Sequence, residues 1–213
     1  MSEPPTAPSA ILQTVGRYYA ERLQEFGATP RGVDWNSADG QELRFERLLQ
    51  LLTGAPAEAS LLDVGCGYGA LLDTMRARGL AHPYRGFDIS AEMVAAATAR
   101  HTADPRCAFT ADPGALRPAD FAVASGIFNV KLHHPVAEWH DYVLATLASL
   151  DAAGERGFAF NMLSTYSDPE RRRDTLYYAD PLAIFDLCKR RYSPRVALLH
   201  DYPLYEFTVV VRK

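Results

Sequence analysis

The chain has 213 residues, room for one α/β domain with a single sizeable core. Hydrophobic residues make up 48% and charged residues 23%, which excludes a globally disordered chain. A net charge of −4 argues against a protein built to hold a phosphate backbone, so nucleic acid is not the expected partner. Cys66, Cys107 and Cys188 are far apart and odd in number, with no CxxC pair or His/Cys metal spacing. Free thiols in a reducing compartment are expected, with neither a disulfide framework nor a metal site. The first ten residues lack the basic start and apolar run of a signal peptide, and no segment is apolar for long enough to span a bilayer. A cytoplasmic location follows by elimination.

Residues 1–8 carry three prolines and read as a mobile tail. From Ser9, apolar residues recur at helical spacing (Ile11, Leu12, Val15, Tyr18, Tyr19, Leu23, Phe26), and Gly27 ends the run. Residues 39–53 predict a second helix with Leu43, Phe45, Leu48, Leu49 and Leu52 on one face. These helices form a cap over residues 9–58, ahead of a core over 59–213, the two together making a single domain. In that core, strands are expected at 60–64, 84–87, 106–109, 121–124, 157–162, 195–200 and 206–210. Helices fall between them at 70–78, from Ser90 to about Arg100, at 135–150 and from Pro181 to about Arg191. Strands alternating with helices imply a mainly parallel sheet covered on both faces, and the short 201–205 connection adds one antiparallel hairpin strand.

The chemistry concentrates in Leu61-Leu62-Asp63-Val64-Gly65-Cys66-Gly67-Tyr68-Gly69, where an apolar strand runs into a glycine turn followed by a helix. Glycines let backbone approach a ligand, and a helix start offers free N–H groups. The second strand ends at Asp88, where a carboxylate can accept from both hydroxyls of a ribose. The pair points to a nucleoside-containing ligand across the carboxyl edge of the sheet. Gly65-x-Gly67-x-x-Ala70 also satisfies the dinucleotide fingerprint. Asp63 tilts the choice, because a carboxylate there repels a pyrophosphate but accepts from an ammonium group. The chain also leaves no room for the substrate domain of a dehydrogenase.

Over about residues 40–213 the sequence resembles the class I S-adenosylmethionine-dependent methyltransferases, whose first motif (D/E)xGxGxG is matched by Asp63-Val-Gly65-Cys-Gly67-Tyr-Gly69. The resemblance implies a three-layer α/β/α Rossmann-like sheet of about seven strands, mostly parallel, with an antiparallel C-terminal hairpin strand and N-terminal capping helices. It also implies S-adenosylmethionine as cofactor. Gly65 and Gly67, with Cys66, Tyr68 and Gly69 around them, would line its methionine part, with Asp63 near the ammonium. Asp88, followed by Ile89, fits the ribose acid. Thr110-Ala111-Asp112 fits the position where an acid or its neighbours meet the adenine amino group, although Asp-Pro-Gly is also an ordinary turn. Ser125 and Gly126 fit the segment beneath the sulfonium. Arg44 pairs either with the methionine carboxylate or with Glu42 and Glu46 on its own helix.

In-line methyl transfer needs alignment more than a dedicated base. Asn129, and His133 or its neighbour His134, are the catalytic candidates, because they follow the fourth strand. Trp35, Asn129, Asn161, Tyr166, Tyr178 and Tyr202 are the candidate acceptor contacts, the tyrosines forming an aromatic lid. Arg171-Arg172-Arg173 is either an anion site or a solvated surface. The (N/D/S)PP(Y/F) motif of DNA amino-methylating enzymes and the Pro-Cys of cytosine-C5 enzymes are absent after the fourth strand, which leaves a small-molecule methyl acceptor, methylated on O or N. The rival readings are a nicotinamide-dependent oxidoreductase, a non-catalytic cofactor-binding module, and a protein or RNA methyltransferase.

Overall fold

A computed structural model describes residues 7–213. It contains a seven-stranded sheet with strand order β3-β2-β1-β4-β5-β7-β6. Two helices precede the sheet, α1 (Ala7–Phe26) and α2 (Ala38–Leu49). Gly27, at φ 68°, ends the first in the left-handed region, and the Ser37 hydroxyl caps the second by accepting from Gly40 N at 3.0 Å. The tail expected over residues 1–8 lies outside the described residues except for Ala7 and Pro8, which belong to α1.

The core follows as β1 (Leu61–Val64), α3 (Ala70–Ala77), β2 (Tyr84–Phe87), α4 (Ala91–Arg100), β3 (Cys107–Thr110), β4 (Ala119–Ala124), α5 (Val136–Ala153), β5 (Gly154–Leu163), α6 (Pro181–Arg191), β6 (Arg195–Leu199) and β7 (Glu206–Arg212). Ser90 and Asp180 cap α4 and α6 through their side-chain oxygens. β1 lies between β2 and β4, both parallel to it. The chain reverses its direction of travel across the sheet at that point, so the crevice for a ligand opens above the carboxyl ends of β1 and β4. β7 inserts between β5 and β6, antiparallel to both, and is the one reversed strand.

β5 begins three residues earlier than the periodicity predicts. Pairing with β4 skips from Ala119↔Gly154 to Phe121↔Gly157, so Glu155 and Arg156 bulge outward and only glycines fit at the bend. A Cβ at Gly154 would lie 2.2 Å from the Gly157 carbonyl oxygen.

Strand alternation splits the sheet residues between two apolar layers. Leu61, Tyr84, Phe121, Val123 and Ala159 face α2 and α3, against Phe45, Leu48, Leu71, Leu72 and Met75. Ala122, Ala124, Phe158 and Phe160 face α5, against Trp139, Val143 and Leu147, with Ile11 and Val15 of α1 added to that layer. The fully buried Trp139 ring satisfies its N–H on the Phe128 carbonyl at 2.8 Å. Among the described residues no helix is long and apolar enough to cross a membrane.

Candidate active site

A cavity of about 780 Å³ opens at the carboxyl ends of β1, β2 and β4. Its floor is the turn after β1. Gly65, Gly67 and Gly69 have φ of 76°, 53° and 82°, a conformation that side chains resist. At Gly65 space forbids a side chain as well, since a Cβ would sit 2.2 Å from Cγ2 of Ile127. The loop is held by Gly65 N and Cys66 N, which both donate to the Phe87 carbonyl.

Asp63 is the most unusual group of the site. It is 2% exposed, near the end of β1 and just before the glycines. One carboxylate oxygen accepts the Tyr84 hydroxyl at 2.5 Å, while Oδ1 is buried with no hydrogen-bond partner. Burial raises its pKa from 3.8 to about 7, with the Tyr84 hydrogen bond pulling it back down and Asp88 pushing it further up. A buried acceptor left open is costly unless a donor reaches it, and an ammonium group meets that need. Asp88 sits at the end of β2 and accepts from Ser90 N at 2.9 Å and Gly67 N at 2.8 Å. Burial raises its pKa and those two N–H groups lower it again. Each of its oxygens keeps a lone pair for a ligand hydroxyl. Burial also pushes the Cys66 thiol well above its usual value, so it stays protonated and inert.

The roof comes from the N-terminal segment. Leu12, Val15 and Tyr19 of α1 line the cavity, as do Val33, Trp35 and Gln41 from the turn and helix that follow. Val33 touches the Gly67 position, and Trp35 lies so close to Gly126 (φ 77°) that a Cβ there would be 2.5 Å from its ring. Gln41 accepts from the Tyr68 hydroxyl at 3.2 Å. The Asp34 carboxylate pins this segment to α1, taking the Tyr18 hydroxyl and Arg22 at 2.7 Å.

The cavity brings together Trp35, Asp63, Gly65, Cys66, Gly67, Tyr68, Asp88, Ile89, Ser125 and Gly126 of the residues picked from sequence. The others lie elsewhere. Gly69 stands at the N-terminus of α3, packed under His101. Asp112 is exposed, and its carboxylate accepts from Gly114 N at 2.8 Å, so it serves the Asp-Pro-Gly turn. Arg44 does not line the cavity and bonds neither Glu42 nor Glu46. It forms a two-pronged pair with Glu206 at 2.8 and 2.9 Å and stacks over Trp35 at 4.0 Å. Glu206 is 1% exposed and also accepts from Asn129. Asn129 is spent on structure, its Oδ1 accepting from Leu163 N at 3.0 Å. Asn161 acts one layer below the cavity, holding Gly126 N at 2.8 Å through Oδ1.

The tyrosine lid does not form over the cavity. Tyr202 turns inward to Thr208 at 2.9 Å, Tyr166 is exposed beside His200, and the Tyr178 hydroxyl accepts from Arg173 N at 3.1 Å. His133 is exposed and stacks on the buried His134, in a loop beyond the cavity. Arg171 is a solvated side chain near Asp168. For the tyrosines and Arg171 the reason is shared: β7 lies between β5 and β6, so the 163–180 loop and the 200–205 hairpin turn gather over β5 and β7, away from β1. The residues that sequence reading missed, Tyr19, Met93, Tyr142 and Thr146, look like ordinary positions of amphipathic helices. Only helix placement shows that they face a cavity.

A Rossmann-like sheet with a glycine turn, an open buried acid before it and a second acid after β2 defines a nucleoside-binding enzyme of the class I methyltransferase fold. A family model described as a methyltransferase domain matches residues 38–207. The Mycobacterium tuberculosis protein Rv1506c, which carries a methyltransferase name, is 56% identical over 154 residues, covering 72% of this chain and 93% of its own. The fold is shared with magnesium protoporphyrin IX methyltransferase from Synechocystis (TM-score 0.65, 14% identity, all of both chains). It is also shared with 1,6-didemethyltoxoflavin-N1-methyltransferase from Burkholderia thailandensis (TM-score 0.61, 18% identity, 100% of this chain and 93% of that one). The chain belongs to the methyltransferase-domain family and is a class I, S-adenosylmethionine-dependent methyltransferase.

Proposed function

We propose that the chain, acting as a single unit over residues 9–213 in the cytoplasm, methylates an oxygen or nitrogen atom of a small molecule held under α1. The observation that carries the cofactor assignment is the buried, unpartnered Oδ1 of Asp63 beside the glycine turn. Asp63 receives the ammonium of the methionine part, and Gly65, Cys66 and Gly67 supply the backbone it lies against. Asp88 takes the ribose hydroxyls through the lone pairs that Gly67 and Ser90 leave free. Ile89, Met93 and Ala111, all lining the same cavity, form an apolar slot for the base. When bound, the cofactor supplies an electrophilic methyl group on a positively charged sulfur.

Ser125, Gly126 and Ile127 carry the reacting centre from below, and Trp35 closes it from above. Asn161 and the Arg44–Glu206 pair hold Gly126 and Trp35 in register, so they are positioning residues. Neither Asn129 nor His133 reaches the cavity, and Asp63 is committed to the ammonium. The chain therefore works by alignment and exclusion of water, which in well-oriented systems is worth about 7–11 kcal/mol. Such a site suits an acceptor whose nucleophile needs no strong base. A small acceptor is supported by the roofed cavity and the mildly acidic composition, and by fold neighbours that by name methylate magnesium protoporphyrin IX and 1,6-didemethyltoxoflavin.

Calorimetric titration with S-adenosylmethionine, S-adenosylhomocysteine and NADH in parallel tests the assignment. Micromolar binding of the first two and none of the third is expected. Binding of NADH alone would overturn it.

A further inference from the structure

The β3–β4 connection leaves an opening in the fold. β3 and β4 are parallel members of one sheet separated by β2 and β1, so the chain must cross both between Ala111 and Pro118. Parallel crossovers ordinarily contain a helix that covers the strands they pass. This one contains only a single 3-10 turn, Pro113–Ala115. The α5-side face of β1 and β2 consequently has no helix of its own from that crossover. The cavity continues into the space, lined by Leu62 and Val64 of β1, Phe87 of β2, Leu116 and Pro118 of the crossover, and Leu150 of α5. It reaches Ser149 and Ala153 near the end of α5, beside the amino ends of the strands. Its length is therefore at least that of β1, about 13 Å at the usual strand rise.

Chemically the arm is unlike the floor of the site. Asp63, Cys66, Asp88 and the glycine backbone surround the carboxyl-edge end. Along the arm the lining is mostly aliphatic and aromatic carbon, and its three polar side chains each bond a carbonyl of their own segment. Thr146 bonds the Tyr142 carbonyl, Ser149 the Ala145 carbonyl, and Arg117 the Gly114 and Leu116 carbonyls. The two hydroxyl protons are turned back onto α5 and Arg117 stands at the exposed rim, so a hydrocarbon in the arm strands no buried polar group and removes apolar surface from water.

We propose that this arm binds the hydrocarbon part of an amphipathic methyl acceptor, an unbranched alkyl or acyl chain, with its nucleophilic head at the glycine turn. The inference deepens the methyl-transfer reading and rests on it for which end of the acceptor reacts. A chain is chosen because the arm runs along the strand direction for the length of β1, between the crossover loop and α5.

The test is calorimetric titration of the protein with hexanol, octanol and decanol, each with and without saturating S-adenosylhomocysteine. Affinity is expected to rise about four-fold per added methylene and to persist with S-adenosylhomocysteine bound. Ser149→Trp and Leu116→Trp fill the arm from opposite walls, and each is expected to weaken decanol at least ten-fold. Their melting curves show which of them fold, and the unmodified protein decides the matter if neither does. Absence of chain-length dependence overturns the proposal. So does one-for-one competition between decanol and S-adenosylhomocysteine, or decanol binding indifferent to a folded arm variant. Decanol binding without any binding of S-adenosylhomocysteine upholds the arm and removes the methyl-transfer reading instead.

Discussion

Replacing Asp63 with asparagine separates what this side chain does for folding from what it does for the ligand. The carboxyl is 2% exposed, and burial raises its pKa from 3.8 to about 7. The folded protein thus holds a proton that the unfolded chain has released between those two values. Stability is lost as pH rises through that window, and the whole loss is present above pH 7. At about 1.4 kcal/mol per pH unit the loss amounts to about 4 kcal/mol. The Asp63→Asn substitution removes this titration and keeps an oxygen for the Tyr84 hydroxyl. Urea unfolding at pH 5 and pH 8 should show the wild-type protein losing about 3 kcal/mol over the interval and Asp63→Asn losing little of it. The variant should be the more stable of the two at pH 8. Ligand binding should run the other way. An ammonium on Oδ1 needs the ionised carboxylate, so wild-type affinity for S-adenosylhomocysteine should fall about ten-fold per pH unit below 7. Asp63→Asn should bind about 10- to 100-fold more weakly at pH 8, from loss of one charge-assisted hydrogen bond. A variant that matches wild-type affinity, with no pH dependence in either protein, would refute the assignment of Asp63.

Gly65→Ala should cost more than ten-fold in S-adenosylhomocysteine affinity, or fail to fold, because its Cβ meets Ile127 at 2.2 Å in a left-handed backbone; wild-type titration and melting curves would show the turn to be slack. Arg44→Met should destabilise by about 3–5 kcal/mol by leaving Glu206 buried without its cation, and adding Glu206→Gln should recover part of this. Denaturant unfolding of the two variants reads both effects, and Trp35 fluorescence should shift in both because Arg44 stacks on that ring. His133→Ala should leave S-adenosylhomocysteine affinity and turnover unchanged once an acceptor is found, whereas a large fall in turnover would place the 131–135 loop in the site after all.

The parts of the site legible in the sequence are those in which local chemistry and position coincide. Asp63 and its glycines occupy one strand–turn–helix unit, and Asp88 falls at the next strand end. Their roles follow from backbone conformation and strand direction, which short sequence patterns encode. Asp112 marks the limit of that logic, since Asp-Pro-Gly satisfies itself as a turn and the carboxylate never reaches the cavity.

Arg44 shows a different limit. In sequence Glu42 and Glu46 lie two residues to either side, a spacing that turns them to other faces of the helix, and its partner is Glu206, distant in sequence and delivered by β7. The same strand insertion carries Tyr166, Tyr178 and Tyr202 away from β1, so an aromatic-rich stretch of sequence becomes no lid. By itself the sequence determined the alternation of strands and helices, the glycine turn and the two acids, because hydrophobic period and glycine conformation act over a few residues. Only the tertiary structure decided that β7 lies between β5 and β6, that α1 roofs the cavity, and that the helix-poor crossover opens an apolar arm along β1 and β2. Those features depend on which distant surfaces bury one another, and no local pattern of residues records that choice.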